Sequence, residues 1–217
     1  MRIGIIGTGP VGRAFGRALP ALGHDVTVGT RDVAQTRSRA EWSDSALELV
    51  AYPELSAELY LLATGGDAAL PALAAVGAAL DGRVVIDLSN PLDFSQGFPP
   101  SLSVCNTESL AERLQAAHPE ARVVKSFNTV ANEVMVDPGV VGTDSTLFVA
   151  GNDEAARATA ADLARELGWV DILDLGDLTA ARGLEMWVPL WLQIYTQLQT
   201  PEFNLKIVRS GAGPSRG

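Results

Sequence analysis

Three glycines near the start of the chain follow a spacing that can hold a phosphate group. They stand in the stretch GTGPVG, directly after the apolar run RIGII and before a helical pattern. In such a turn the first glycine permits the bend, the second lets the backbone approach a pyrophosphate, and the third lets helix and strand pack closely. The free N–H groups at the helix start then face the phosphates. A tight turn without a ligand is the alternative, but the strand–loop–helix context favours a dinucleotide bound by Gly7, Thr8, Gly9, Pro10, Val11 and Gly12.

The end of the second strand indicates which dinucleotide this is. An NAD site usually has Asp or Glu there to bind the ribose 2′-hydroxyl. This chain has VGTRD, so Thr30 and Arg31 follow the strand instead. Arginine forms charge-assisted hydrogen bonds with phosphate oxygens, which predicts NADP. Two alternatives stay open: Asp32 could turn inward to the ribose, and Arg31 could be a solvated loop charge.

The residues opposite the nicotinamide should follow the other strands, because ligands of a doubly wound sheet lie outside the carboxyl ends of its strands. The stretches ATGGD, LSNPLD and KSFNTVANE supply small and amide side chains there, with neither a Ser-His-Asp set nor a metal cluster. Such a pocket suits hydride transfer between two cofactors held face to face, since the protein then supplies mainly proximity and orientation. We expect Ala63 and Thr64 to contact the dinucleotide, and the hydride site to be lined by Asn90, Pro91, Asn128 and Thr129.

One side chain in these stretches could donate a proton to a reacting carbon, as an alcohol or hydroxy-acid dehydrogenase would need. That side chain is Lys125. We favour a salt-bridged lysine at a strand edge over a catalytic one. No metal site and no acid–base catalyst is predicted.

Apolar runs of strand length alternate with helical patterns along most of the chain. This alternation predicts a parallel sheet covered on both faces, an α/β doubly wound fold of the Rossmann type. Strands are predicted for RIGII, DVTVGT, LELVAY, ELYLLAT, RVVIDLS, ARVVKSFN, STLFVAG and VDILDL, and helices for residues 11–22, 32–40, 67–80, 109–117 and 153–167. We divide the chain into a dinucleotide-binding domain, 1–178, a packed C-terminal helix and short strand, 179–209, and a loose tail, 210–217.

The C-terminal stretch TAARGLEMWVPLWLQIYTQLQ is apolar nearly all round, so its helix must be buried on more than one side. One side can cover the sheet, and a second subunit is expected on the other, which predicts a homodimer. Simple core packing is the alternative. Pro189 should kink this helix, and the following FNLKIV alternates like an edge strand.

Composition excludes several classes of partner. The chain has 217 residues, 47% of them apolar, and a net charge of -10, which repels nucleic acid and anionic lipid. A single cysteine allows no disulfide within the chain, and the most apolar segment is too short to span a bilayer. With no signal peptide recognised before the first strand, we expect a cytoplasmic protein whose partner is a small molecule.

The stretches MRIGIIGTGPVG, GTRD, SNP and VVKSFNTV and the closing helix resemble, in order over nearly the whole chain, the NADPH-dependent deazaflavin (coenzyme F420) reductases. These small NADP oxidoreductases are also similar to the cytosolic domain of the six-transmembrane metalloreductases. The resemblance implies NADP held by residues 8–12 with Thr30 and Arg31, and a deazaflavin or flavin stacked on the nicotinamide near Asn90 and residues 128–130, which adds Val130 to the hydride site.

Two positions depart from this family. It often has a further basic residue soon after the arginine, where Gln35 stands here with Arg37 beyond, and some members have a histidine where Asn128 stands.

The resemblance and the composition of the pocket together predict an oxidoreductase that moves hydride between NADP(H) and a deazaflavin or flavin. The alternative is a non-catalytic NADP(H)-binding sensor or regulatory module, for which the low acid–base content is equally suitable.

Overall fold

The computed structural model describes residues 1–142 and 144–209, and the tail predicted for 210–217 lies outside them. Within these residues the strands are β1 (Arg2–Ile6), β2 (Asp25–Thr30), β3 (Glu48–Ala51), β4 (Leu59–Leu62), β5 (Val84–Asp87), β6 (Leu92–Asp93), β7 (Ser101–Leu102), β8 (Arg122–Ser126), β9 (Thr146–Gly151) and β10 (Asp171–Asp174). The α-helices are α1 (Pro10–Ala21), α2 (Val33–Arg37), α3 (Ala40–Ser43), α4 (Gly66–Val76), α5 (Leu110–Ala117), α6 (Asn132–Val136), α7 (Glu154–Glu166) and α8 (Ala181–Leu198).

Eight strands form one sheet in the order β10-β9-β8-β5-β4-β1-β2-β3. The strand order reverses at β1, which has β2 on one side and β4 on the other, so the predicted doubly wound Rossmann fold is confirmed. The carboxyl ends of β1, β4, β5 and β8 meet at one edge of the sheet, because these strands run parallel.

One pair departs from the predicted parallel sheet, since β9 runs antiparallel to β8. The chain between them forms only the short α6, which packs against α1, and the 3-10 turn Pro138–Val141. No helix in that connection returns the chain to the start of the sheet, so the next strand must run backwards. The carboxyl ends of β9 and β10 therefore lie at the edge of the sheet opposite the glycine loop.

The core lies in two layers, one on each face of the sheet. On one face α1, α6 and α7 bury side chains such as Phe15, Val134 and Leu163 against β1, β5 and β9. On the other face α4 and α5 bury Leu73 and Leu114. In α1, α4, α5 and α7, which the sequence predicted, the apolar face of the helix covers the sheet, whereas α6 was not predicted.

The C-terminal segment holds the predicted helix but not the predicted strand. Residues 203–208 contain no strand: Leu205 accepts one hydrogen bond from the Thr146 N–H at 3.0 Å. The Leu205 N–H instead donates to Oδ1 of Asn204 at 2.8 Å, and Asn204 Nδ2 donates to the carbonyl oxygen of Thr146 at 3.3 Å. The Asn204 side chain therefore bonds the Leu205 N–H and the Thr146 carbonyl, which an edge strand would use for main-chain pairing. For this reason the alternation in FNLKIV does not produce the predicted strand.

Candidate functional site

The glycine loop is tight at its two ends and open in its middle. Gly7 has a φ of +119°, and a Cβ there would lie 2.7 Å from the carbonyl oxygen of Ala63. A Cβ on Gly12 would collide with the carbonyl oxygen of Gly7, whereas one on Gly9 would meet nothing within 4 Å. The loop thus closes strand against helix while leaving free space beside Gly9, as a pyrophosphate requires. Pro10 begins α1, where its missing N–H costs no helical hydrogen bond.

A cavity of about 770 Å³ opens beside this loop. It is bounded by Thr8 and Gly9 of the loop, by Thr30 and Arg31 at the end of β2, and by one face of α4. Thr30 is buried, with its hydroxyl 2.7 Å from that of Thr36. Arg31 is exposed and forms no ion pair with any residue in the described ranges. Its guanidinium is therefore available to a ligand.

Asp32 borders this cavity, but its carboxylate is engaged at the start of α2. Its Oδ1 accepts a hydrogen bond from the Gln35 N–H at 2.8 Å, which makes Asp32 the N-cap of α2. The capping contact holds one carboxylate oxygen in the backbone of α2 and disfavours the alternative left open in the sequence, an inward Asp32 selecting NAD. Tyr52 lines the same cavity; burial raises the pKa of its hydroxyl, and nearby Arg31 acts in the opposite direction.

A second cavity, of about 550 Å³, continues from the first along the carboxyl edge of the sheet. The two share Thr64, Gly65 and Asp67, so they form one groove. The hydroxyl oxygen of Thr64 is buried at this junction and has no hydrogen-bond partner within residues 1–142 and 144–209. The apolar part of the second cavity comes from separate elements: Val11, Leu88, Leu92, Phe94, Val130 and Met135.

The predicted hydride-site residues divide into two groups. Asn90 and Val130 line the second cavity, but Pro91, Asn128 and Thr129 are buried behind it, which corrects the prediction that they face the ligand. Asn128 turns inward because Phe127 adopts a left-handed φ of +61°. The Asn128 Nδ2 then donates to Oδ1 of Asn90 at 2.9 Å and to the carbonyl oxygen of Leu184 at 3.0 Å. Asn128 therefore orients Asn90 rather than contacting a ligand itself.

Lys125 is salt-bridged, as predicted, but in the middle of the sheet rather than at an edge. Its Nζ lies 2.8 Å from Asp87 Oδ2 and 3.0 Å from Glu185 Oε1, and all three side chains are buried. Burial by itself would lower the pKa of Lys125, but the two carboxylates outweigh it and the pKa is raised. The ammonium group lines neither cavity, so it is not placed to protonate a ligand.

Two further side chains support the glycine loop from α3 and the turn before it, and sequence reasoning missed both. The indole Nε1 of Trp42 donates to the carbonyl oxygen of Thr8 at 3.0 Å. An Nη of Arg39 donates to the hydroxyl of Thr8 at 2.8 Å. These contacts span 34 and 31 residues, and no local pattern in the sequence marks them.

Among residues 1–142 and 144–209, no group of three or more His, Cys, Asp or Glu side chains is arranged to hold a metal ion. In the same residues, no helix combines the length and hydropathy needed to cross a membrane.

Comparison with known proteins gives consistent matches. The family described as "NADP oxidoreductase coenzyme F420-dependent" matches residues 2–91, the part of the chain that contains the glycine loop. A crystal structure from Arthrobacter sp. FB24, provisionally described as an F420-dependent NADP reductase, is 46% identical. It superposes with a TM-score of 0.93 over 96% of this chain and 100% of its own.

Two curated relatives are more distant. The F420-dependent NADP reductase of Methanocaldococcus jannaschii is 29% identical over 59% of this chain and 57% of its own length. The metalloreductase STEAP3 of Rattus norvegicus is 27% identical over 88% of this chain. The chain spans only 37% of that metalloreductase, so the match concerns a part of the larger protein.

Proposed function

Because the chain belongs to the family of coenzyme F420-dependent NADP oxidoreductases, we propose that it transfers a hydride between NADP(H) and a deazaflavin such as coenzyme F420, or a flavin. The observation that carries this proposal is the continuous groove with two unlike halves that meet at Thr64. One half has the glycine loop and unpaired cations. The other is a largely apolar slot of a size that suits a planar ring.

The first half fits the phosphates of NADP(H). Space beside Gly9 admits the pyrophosphate, and Thr30 with Arg31 lies where the ribose 2′-position falls in this fold. Asp32 caps α2 and leaves the 2′-position to these residues. The contacts proposed for the cofactor are therefore those expected from the sequence: Gly7, Thr8, Gly9, Pro10, Val11, Gly12, Thr30, Arg31, Ala63 and Thr64.

The second half fits a reaction that needs little acid–base chemistry. Hydride leaves the nicotinamide and the oxidised ring accepts it together with one proton, so NADPH, the ring and a proton give NADP+ and the reduced ring. The proton can come from water, since the cavity is open and Lys125 is sealed behind it. Val11, Val130 and Asn90 hold the ring plane against the nicotinamide, and the protein thereby supplies orientation.

In a non-catalytic NADP(H) sensor, we would expect side chains to fill the second half of the groove. The open cavity of about 550 Å³ favours the enzyme over that alternative.

The test is anaerobic mixing with NADPH and a panel of acceptors: a deazaflavin, flavin mononucleotide, flavin adenine dinucleotide and a ferric chelate. We expect NADPH oxidation with the deazaflavin or a flavin. If the protein binds NADPH but reduces neither ring at any concentration, the enzyme proposal fails and the sensor becomes the better account.

A substitution in the slot shows whether the ring binds there. Ser103 lines the second cavity from an exposed position, so Ser103→Trp should fill the slot without disturbing the core. We expect acceptor turnover to fall while NADPH affinity is retained. Ser101→Trp is the matched control, because Ser101 is exposed on β7 but does not line the cavity. Equal activity in the two variants would contradict the proposed acceptor site.

We also propose a homodimer in the cytoplasm, with residues 1–178 as the dinucleotide-binding unit and 179–209 packed on it. Support for the dimer is the outer face of α8, where Met186, Leu190 and Leu198 are exposed. Several exposed apolar side chains on one helix are a feature that a subunit interface would cover. Sedimentation equilibrium of the purified chain, compared with Leu190→Glu, tests this: a monomer in both cases would contradict it.

A further inference from the structure

Arg39 lines the same cavity as Arg31, and these are the cationic side chains that the described part of that cavity contains. Neither forms an ion pair with a carboxylate in residues 1–142 and 144–209. In a chain of net charge -10, two unpaired guanidinium groups facing one cavity indicate an anionic ligand between them.

The Arg39 guanidinium is held in place by hydroxyl groups rather than by charge. One Nη donates to the Thr8 hydroxyl at 2.8 Å and to the Thr36 hydroxyl at 2.9 Å. The Nε is buried and has no partner in the described residues. Because neutral oxygens hold it, the full positive charge of Arg39 remains available to a ligand.

These partners place Arg39 at the ribose end of the groove. The hydroxyl of Thr36 also lies 2.7 Å from that of Thr30, at the end of β2, where the ribose 2′-position of a bound dinucleotide falls. Arg37 is turned away from the cavity, with its guanidinium donating to the carbonyl oxygens of Trp42, Ser45 and Leu47. It therefore cannot act as the second basic residue.

Resting on the proposed use of NADP(H), we propose that Arg39 is a second cationic contact for the 2′-phosphate and a determinant of NADP(H) specificity. Arg39 would thereby replace the further basic residue that the family often has soon after the arginine, in the region where this chain has Gln35. Arg31 reaches the phosphate from the solvent side and Arg39 from the loop side, so the two guanidinium groups bracket it.

Calorimetric titration with adenosine 2′,5′-bisphosphate and with adenosine 5′-monophosphate isolates this contact, since the two ligands differ only in the 2′-phosphate. Arg39→Gln keeps hydrogen-bonding capacity but removes the charge. We expect it to weaken the bisphosphate roughly tenfold or more and the monophosphate by less than about twofold. NADPH and NADH should show the same contrast. Arg39→Lys should recover part of the loss.

The controls separate this inference from the function beneath it. Arg83→Ala removes an exposed arginine outside the groove and should change neither ligand. If Arg31→Ala weakens the bisphosphate but Arg39→Gln does not, the inference is overturned and the proposed function stands. Equal weakening of both ligands would assign Arg39 to the pyrophosphate or to loop packing, which also overturns it. A wild-type protein that binds neither the bisphosphate nor NADPH would overturn both proposals.

Discussion

The two halves of the groove are built in opposite ways. The half beside the glycine loop is formed by main chain, by two arginines and by Asp32 and Asp67, and its contributors lie mostly within the first 40 residues and on one face of α4. The second half is formed by side chains from α1, the chain after β5 and the chain after β8. Its charged lining residues in the described ranges, Asp67 and Asp93, are both acidic.

This difference sorts the parts of the two ligands by charge. Phosphates are attracted to the half with backbone N–H groups and cations, whereas an uncharged ring meets no penalty in the half with apolar walls and acidic rim. A dinucleotide bound as proposed would thereby lie in one direction, with its nicotinamide at the junction near Thr64. Substitutions on either side should therefore affect one ligand and spare the other.

The largest effect is expected for Gly9→Val. A Cβ there meets no protein atom within 4 Å, and the valine side chain would occupy the space assigned to the pyrophosphate. The protein should fold, yet NADPH affinity should fall about 1000-fold or more, which removes measurable binding. Fluorescence titration measures this, and Gly183→Val, at another glycine with open space, serves as the control. Normal NADPH binding by a folded Gly9→Val protein would exclude the loop from the site.

Lys125→Met tests the support beneath the second half. It leaves Asp87 and Glu185 buried without their cation, which should cost about 3–5 kcal/mol in the free energy of unfolding, measured by urea denaturation. The contrast is Lys206→Met, which breaks an exposed pair with Asp171 and should cost less than about 1 kcal/mol. A similar loss in the two variants would show that the buried charge cluster contributes no more to the free energy of unfolding than an exposed ion pair.

The same cluster predicts the alkaline limit of stability. The pKa of Lys125 is higher in the folded chain than in the unfolded chain. Its contribution is then complete below the unfolded pKa of about 10.4 and is lost only as the pH rises through the higher folded value. Wild-type protein should therefore lose part of its stability above about pH 10 through this group, and Lys125→Met should lack that component.

Arg31→Ala should give an intermediate effect confined to the first half. Loss of a charge-assisted phosphate contact should weaken NADPH by about 1.5–3 kcal/mol and leave NADH nearly unchanged. Calorimetry with both cofactors measures the difference. An equal loss for NADPH and NADH would show that Arg31 does not contact the 2′-phosphate.

The smallest effect should come from reversing a charge on the rim of the second half. Asp93 is kept ionised, because hydrogen bonds from the Ser95 N–H and hydroxyl lower its pKa. Asp93→Lys should favour flavin mononucleotide over uncharged riboflavin by about two- to fivefold at low salt, with little change at high salt. If the preference is absent at low salt, the acidic rim does not sort acceptors by charge.

The two halves of the groove also differ in how well they could be predicted from the sequence. The glycine loop and TRD are local patterns, so their positions in the fold agree with expectation. The second half depends on turns that no pattern marked: the left-handed Phe127 sends Asn128 and Thr129 inward, and the β6–β7 hairpin supplies Leu92 and the wall beside Ser103. Arg39 escaped notice because its partner Thr8 lies 31 residues away.

The side chain of Glu185 has a consequence for how the chain can be divided. Besides pairing with Lys125, its carboxylate accepts hydrogen bonds from the N–H groups of Leu110 and Ala111, at 2.8 and 3.1 Å. A protein truncated before α8 would keep the Ser109 cap of α5 but lose the acceptor of the Leu110 and Ala111 N–H groups, together with one of the two carboxylates that pair with Lys125. The C-terminal helix thus belongs to the same cooperative unit as the sheet, and the nucleotide-binding part should not persist as an autonomous folding fragment.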